Sequence, residues 1–436
     1  MKRLVPLFTA SALAFTLAAC SSSAKTTTSA TTTASGTATT VAAAGTTSDA
    51  GTTAAAGTTV GTTAAGGTTA ATTGSSATTG SSATTTAGST AGSANGDAAS
   101  ETAAAAKRVA PYLTPVTKIA FDTKLKSVPA KGKKLYWLEG NIQSILPITG
   151  GFKSAAAALG WNLTVLTYDP SDPQGPNSAL QQAVDAGADF IAESGQNSTT
   201  LKTGLAAAKA KNIPVFGMFG DNDSDPKGVG LYTSVGRPNL TIDSAKATAD
   251  FFISDSKAAG KVVLVNLPDF KILQIAESNY RNHVKANCTA CGVDAIEATI
   301  ADLTGGNIAP QVVSYLQAHK DVKYIYAFIG DLATGLPQAL KAAGMSDVKI
   351  MGAVPNVDQI QSLIDKTSSA WLALPRVEGA WQVVDAMARY SEGMDFSIAD
   401  TIIPRPIFTQ DNVTSPATDY AGVPDFEAQF KALWGV

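Results

Sequence analysis

From residue 135 onward one pattern repeats along the chain: a short apolar run, a polar loop, then an amphipathic stretch at helical spacing. The first unit is Leu135-Tyr136-Trp137-Leu138, a loop over 139–144, and a helix ending near Leu159-Gly160. The second has its strand at 163–168, loop at 169–176 and helix at 179–187. The third runs from Phe190-Ile191-Ala192 through a loop at 193–198 to a helix at 201–211, and a fourth strand follows over 213–219. A second set has helices at 240–257, 272–286, 308–319 and 336–344, and strands at 262–265, 293–300, 324–328 and 348–352. Strict alternation of strand and helix implies right-handed crossovers and parallel sheets. Two such sets predict an α/β chain with two doubly wound, parallel-sheet lobes. Ligands of open α/β sheets bind beyond the strand C-termini, so the polar loops are where function is expected.

The first 106 residues are a different polymer. Lys2 and Arg3 open the chain, and residues 4–19 are apolar but too short for a spanning helix of about 20 residues. This reads as a secretory signal over 1–19, ending in Leu17-Ala18-Ala19-Cys20. That ending resembles the lipobox of bacterial lipoproteins, which implies acylation at Cys20 and a membrane anchor on the extracytoplasmic face; an ordinary signal peptide with a chance cysteine is the alternative. Residues 21–106 are almost wholly Thr, Ala, Gly and Ser, with Gly-Thr-Thr recurring at Gly45, Gly51, Gly57, Gly61 and Gly67. Such a segment cannot bury enough surface to offset about 1–2 kcal/mol of backbone entropy per residue. It is expected to be a disordered tether over 20–106, with a threonine density suited to O-glycosylation. Residues 107–131 then form a lead-in segment.

Other classes of function find little support. A net charge of −3 and the lack of a basic patch argue against nucleic acid. His283 and His319 both fall on helical stretches, so neither a metal cluster nor a histidine-based triad is expected. No Gly-x-Ser-x-Gly or Walker loop is present, and no cofactor is implied. The acidic run from Asp221 begins like a calcium loop, but Pro226 stands where glycine is needed and Tyr232 where glutamate is needed. With Cys20 assigned to the anchor, Cys288 and Cys291 are left as a pair. In an oxidising compartment they are expected to close a disulfide. The alternative, a thioredoxin-like motif, needs its first cysteine at a helix N-terminus, whereas this pair follows a helix and precedes Gly292.

Several phrases together carry a family resemblance. They are Phe152-Lys153-Ser154-Ala155-Ala156 with Ala158-Leu159-Gly160-Trp161, then Gln182-Ala183-Val184-Asp185-Ala186-Gly187-Ala188-Asp189-Phe190-Ile191, then residues 206–215, then residues 334–344. In this order and spacing the chain resembles the type I periplasmic binding proteins, in their sugar-receptor branch, over about 131–408. A Cys-x-x-Cys pair before a strand is also similar to receptors of this branch. The resemblance implies a non-enzymatic hinged clamp whose chain crosses between lobes three times, near 233–238, 372–376 and 396–402. The first lobe would span 132–235 with 375–396, the second 238–372 with 400–411, and 412–436 would be a tail. It further implies a small-molecule solute, a membrane permease as partner and a monomeric receptor for an ABC importer. A surface sensor or adhesin using the same clamp is the alternative. The repressors of this fold carry an N-terminal helix-turn-helix, where this chain has a lipobox and tether.

The polar slots of a sugar receptor are partly missing. The Asn-Asp that the resemblance implies aligns with Ile329-Gly330, an Asp with Val354 and a Gln with Ala373; its arginine falls at Tyr280 or Arg281. Polar or aromatic candidates on the remaining loops are Asn141, Gln143, Gln196, Phe219, Asp221, Arg237, Asp331, Asn356 and Arg376. Each competes with a turn or cap role. Trp137 is expected in the core, while Trp371 and Trp381 flank the second crossing and are candidates to stack on a ligand. Simple pentoses and hexoses are therefore expected to bind poorly, since each buried hydroxyl without a partner costs about 1–3 kcal/mol. For the anchor, Cys20→Ser is expected to move the protein from the membrane fraction to the soluble one; equal retention on membranes would rule out the assignment.

Overall fold

The computed structural model describes residues 91–220, 224–236, 238–396 and 405–436. The signal segment, Cys20 and the chain up to residue 90 lie outside the described residues, as do Asp221, Arg237 and most of the third expected crossing. The first lobe carries β1 (Lys134–Gly140), β2 (Asn162–Tyr168), β3 (Phe190–Ser194), β4 (Val215–Met218) and β5 (Leu231–Val235), in the order β2-β1-β3-β4-β5. All pairings are parallel; Leu135 of β1, for example, pairs with Leu163 on one side and Phe190 on the other. Helices α2 (Leu146–Leu159), α3 (Gly175–Asp185) and α4 (Lys202–Ala210) connect these strands. Helix α2 stops at Gly160, whose left-handed φ of 65° lets its N–H reach back to Ala156 and Ala157.

The second lobe repeats the arrangement with β6 (Lys261–Asn266), β7 (Gly292–Glu297), β8 (Tyr324–Ala327), β9 (Lys349–Ala353), β10 (Ala370–Leu372) and β11 (Ile407–Thr409). Its order is β11-β10-β9-β8-β6-β7. Helices α5 (Pro238–Asp255), α6 (Lys271–Asn287), α7 (Ile300–Thr304), α8 (Ile308–Ala318), α9 (Leu336–Ala342) and α10 (Val357–Ile364) accompany it. The sheet departs from the all-parallel expectation at one edge, where β11 runs antiparallel to β10. A returning strand on an otherwise parallel sheet is a common edge arrangement. Helix α11 (Arg376–Ser391) belongs to the first lobe: its Ala380, Trp381 and Val384 share a core with Trp137 and Phe152. A separate cluster fills the other face of that sheet, around Leu138, Leu180, Val184 and Leu205. Both faces are thus covered, as a doubly wound lobe requires. Cys288 and Cys291 form a disulfide between the end of α6 and β7.

One expectation is corrected. The tether reading over 20–106 fails at its end, because Ala91–Val109 form a helix, α1. Ala105 and Val109 are buried in the second-lobe core beside Ala245 and Ala249 of α5. Arg108 pairs with the buried carboxylate of Asp250, which also meets His283 Nε2 at 2.8 Å. Alanine is the best helix former, and small side chains pack where two helices run close. Composition alone hid this helix. The last residues of the tail form α12 (Phe426–Trp434) on the first lobe. Trp434 stacks on Trp381 with centroids 5.1 Å apart and planes 7° apart, and its indole N–H donates to Asp385.

The lead-in segment links both lobes. Tyr112 packs on the second-lobe core, whereas Ile119 and Leu125 pack on the first. Leu125 N–H donates to Leu433 O at 2.9 Å, and Arg389 donates to Thr123 O at 2.7 Å. A chain starting at Thr85 is expected to unfold at a higher temperature than one starting at Lys107, which keeps only three residues of α1. The burial lost corresponds to about 2 kcal/mol, or roughly 3 °C. Equal midpoints would show that α1 contributes nothing.

A second prediction concerns Glu378 of α11. Its carboxylate accepts from Val423 N–H at 2.8 Å and so holds the segment leading into α12. Burial pushes this carboxyl up to about 7, against the smaller opposing effect of the Val423 hydrogen bond. The folded protein therefore keeps a proton that the unfolded chain releases near pH 4.3. The stability this contributes is full below that pH and is lost as pH rises through about 7. Glu378→Gln is expected to flatten this loss, which amounts to at most roughly 4 kcal/mol. Unfolding midpoints at pH 5 and pH 8 check it; an unchanged pH slope in the variant would count against the assignment.

Candidate functional site

In each sheet the strand order reverses beside the first strand of the lobe, between β1 and β3 and between β6 and β8. Helices leave opposite faces at such a point and open a crevice past the strand C-termini. The two crevices meet in a cavity of about 150 Å³. The first lobe supplies Ile142 and Ile145 after β1, Ser194 at the end of β3 and Gly195 after it, Phe219 after β4 and Gly236 after β5. The second supplies Phe270 and Leu273 after β6, Phe328 and Ile329 after β8, and Val354 after β9. Leu372, Leu374 and Arg376 of the second crossing close one side, and Leu240 and Ala245 of α5 another.

Arg376 fixes the polar frame. The residue is 1 % exposed. Nη1 donates to Ser144 O at 3.0 Å and to Asn356 Oδ1 at 2.9 Å, and Nη2 to Pro355 O at 2.8 Å and to Asp419 Oδ1. Nε has no partner. Ser144 N–H donates to Asp331 Oδ1 at 3.3 Å, and Asn356 Nδ2 donates to Asp331 Oδ2 at 3.4 Å. These bonds join a first-lobe loop to second-lobe loops, so the lobes are held together.

Two lining residues, Phe219 and Val354, have left-handed backbones with φ of 54° and 50°. That conformation is uncommon for any side chain and an outlier for a β-branched one. Each is held by backbone bonds: Phe219 N–H to Val235 O, Val354 N–H to Leu372 O, and Gly330 N–H to Val354 O. Gly236 faces Phe219 so closely that an added Cβ would lie 2.7 Å from its ring.

The sequence candidates divide accordingly. Phe219 and Arg376 line the cavity. Asn356 and Asp331 border it as buried partners of Arg376 and Ser144. Asn141 and Gln143 instead line a second cavity of about 250 Å³ with Asp331, Thr334 and Leu303, also between the lobes. Gln196 donates to the Tyr168 hydroxyl at 3.1 Å beside the first-lobe sheet; burial and the nearby Glu193 push that phenol upward. Asp221 and Arg237 lie outside the described residues.

Of the Tyr280 and Arg281 alternatives, neither lines either cavity. Tyr280 is wholly buried against Tyr326 and Phe328, beneath the cavity wall. Arg281 turns away to Glu277 and Val293 O. Trp371 and Trp381 are also core residues: their indole N–H groups donate to Ser368 and Ser154. The residues that sequence reasoning missed are the apolar ones, chiefly Ile142, Ile145, Leu273 and Phe328. Their signal was an apolar side chain placed just past a strand end, where loops are usually polar.

Among the described residues, no cluster of His, Cys, Asp and Glu could hold a metal ion. His283 is engaged by Asp250, and His319 stacks on Tyr315. Part of the calcium-like run lies outside the described residues; the Asp225 carboxylate within it caps its own turn, accepting from Gly228 N–H at 2.8 Å. No described helix is long and apolar enough to cross a membrane.

Comparison with known proteins places this geometry. No curated protein sequence matches the chain. Among solved structures, a glucose-galactose binding protein from Geobacillus stearothermophilus superposes with a TM-score of 0.57 at 17 % identity, covering 65 % of this chain and 99 % of that one. A 5-methylthioribose transporter solute-binding protein from Thermotoga lettingae gives 0.58 at 16 % identity, covering 71 % and 96 %. A sugar ABC transporter protein from Yersinia enterocolitica gives 0.60 at 15 % identity, covering 72 % and 99 %. At such identities the likeness establishes the fold: α/β, with two sheet lobes of the type I binding-protein kind. A model of the periplasmic binding protein domain matches residues 134–395, which include both sheets except β11 and every described residue of the cavity wall, and the chain belongs to that family of binding proteins.

Proposed function

We propose that this chain is an extracytoplasmic solute-binding lipoprotein of an ABC importer. It captures a small molecule between its lobes and presents the closed form to a membrane permease. One observation carries the reading: the cavity wall comes from the strand C-termini of both sheets, and hydrogen bonds across it require the lobes to be together. The structural neighbours that are themselves solute-binding proteins support the same role. Lipidation at Cys20 would keep the receptor at the membrane, with the Thr/Ala/Gly/Ser segment as its tether. Asn141 and Gln143 would face solute entering from the side of the second cavity.

The closed state draws on Asp331, which takes Ser144 N–H from the other lobe. Loss of that bond lowers the closed population, and apparent affinity falls by the same factor. Asp331→Ala is expected to weaken binding of the co-purified solute about tenfold and to reduce the contraction seen by small-angle scattering on binding. Undiminished closure in the variant would remove Asp331 from the mechanism. Deletion of the protein should abolish cellular uptake of that solute. Uptake that persists, with a lost response to the solute, would favour a sensor instead.

A further inference from the structure

The second cavity, of about 250 Å³, is built by both lobes. Asn141, Ile142 and Gln143 of the loop after β1 meet Leu303 of α7 and, from the loop after β8, Asp331 and Thr334. Ile142 also lines the first cavity, so the two compartments adjoin. These loops lie apart from the undescribed segments. Residues 221–223 and 237 follow β4 and β5, which are two and three strands from β1, or about 10 and 14 Å. Residues 397–404 lead into β11, at the opposite edge of its sheet from β7.

The charges beside this cavity do not balance. Asp331 is buried, and its carboxylate accepts from two neutral donors, Ser144 N–H at 3.3 Å and Asn356 Nδ2 at 3.4 Å. The cation of that network, Arg376, pairs directly with Asp419. One guanidinium thus serves two carboxylates, and the one it does not touch, Asp331, stands on the cavity wall. Glu139, two residues before Asn141, is a further buried carboxylate held by hydroxyls, those of Thr149 and Thr167. A buried carboxylate without a cation is unfavourable, and a cleft of one sign of charge attracts the other. Among the described residues, no lysine, arginine or histidine lines this cavity. The side-chain amides of Asn141 and Gln143 make no hydrogen bond to a described residue, which leaves their oxygens as acceptors. One feature opposes a cation: Ile308 and Ala309, at the positive end of α8, also line the cavity. That effect is at most roughly fivefold in affinity, whereas a hydrogen bond to a charged group contributes roughly tenfold to a hundredfold. Ile142, Pro170 and Leu303 supply hydrocarbon against which a carbon skeleton can pack.

We propose that the second cavity takes the protonated amine of a small organic solute, its ammonium set between Asp331 and the amide oxygens of Asn141 and Gln143. The proposal rests on the receptor reading above and specifies its solute class. Calorimetry tests it on the full protein, stripped of co-purified solute by partial unfolding and refolding, with benzylamine, benzyl alcohol, benzoate and glucose as probes. The first three carry one ring with a positive, a neutral and a negative group. Benzylamine is expected to bind at least roughly tenfold more tightly than benzyl alcohol, and benzoate and glucose to give no measurable heat. Asp331→Asn removes the charge and keeps an acceptor for Ser144 N–H. It should bring benzylamine down to benzyl alcohol without weakening the alcohol. Thr334→Lys puts a cation in the second cavity and leaves the wall of the first unchanged, and should weaken benzylamine at least roughly tenfold. If Asp331→Asn does not fold, the wild-type comparison and Thr334→Lys still decide. Equal affinity for the amine and the alcohol overturns the role of the charge, and unchanged benzylamine affinity in Thr334→Lys overturns the site. Failure of benzylamine to bind at millimolar concentration, or tighter binding of glucose, overturns the solute class. Glucose binding with lobe closure would leave the receptor reading intact, whereas no retention of any solute from a broad metabolite mixture would overturn that reading as well.

Discussion

A single buried guanidinium organises the interlobe region. Burying an arginine is costly unless its charge is paired and its donors are matched. Arg376 is paired, and its two terminal nitrogens are matched, with Nε left unmatched, by acceptors from three parts of the chain: Ser144 in the loop after β1, Pro355 and Asn356 before α10, and Asp419 ahead of α12. Because it is also the first residue of α11, the second crossing is bound to both lobes and to the C-terminal segment at one point. Asn356 is fixed by the same network and by a capping box with Gln359, so α10 begins where Arg376 needs an acceptor. The position of the cavity wall depends on these bonds, since Arg376 and the neighbours of Ser144 and Asn356 form part of it.

Around this centre the two ends of the chain act as straps. Helix α1 is fastened to the second lobe by Arg108 and Asp250, while the segment after it is fastened to the first through Thr123 and Leu125. The C-terminal segment goes the same way: Val413 packs on the second lobe and Val423 on the first. Lobe rotation must therefore be absorbed by the hinge crossings and by two further spans, near 113–118 and 414–420. Pro111, Pro115 and Pro416 restrict backbone rotation in or next to those spans. The clamp has more links between its lobes than the three crossings that the family resemblance implies.

The periodic parts of the fold were legible because they rest on burial alone. Each strand expected between 135 and 352 is present, and the chain order of the lobes follows from it. What was illegible depended on small residues or on orientation. The alanines of α1 gave no apolar signal, although Ala105 is fully buried. The choice between Tyr280 and Arg281 was open to sequence reasoning: Ile272, Ala276, Tyr280 and Val284 recur every four residues and form the buried face of α6. Arg281 lies about 100° away from that stripe, which leaves it to Glu277 and the edge strand β7. The tryptophans near the second crossing were misleading for a similar reason, because proximity in sequence to a hinge does not set the face a ring presents. The apolar wall was missed because loop residues were ranked by polarity, while the cavity is built from the apolar residues between them.

Val354 sharpens the relation between backbone and chemistry. A left-handed φ of 50° suits Asn or Asp and strains valine, at about 1–3 kcal/mol. The Asp that the family resemblance implies at this position would fit the backbone better. The conformation is imposed from outside: Val354 N–H is bonded to β10 and its carbonyl to Gly330, so the turn keeps its shape whichever side chain it carries. Valine is thus unfavourable for the backbone, and its compensation must lie in what the side chain touches. It touches the cavity, as does Ile329 from the neighbouring loop. The fold determines that a ligand sits past the strand ends, and the side chains on those loops determine its chemistry. Here two strained, backbone-locked positions, Phe219 in one lobe and Val354 in the other, both present apolar side chains to the same space.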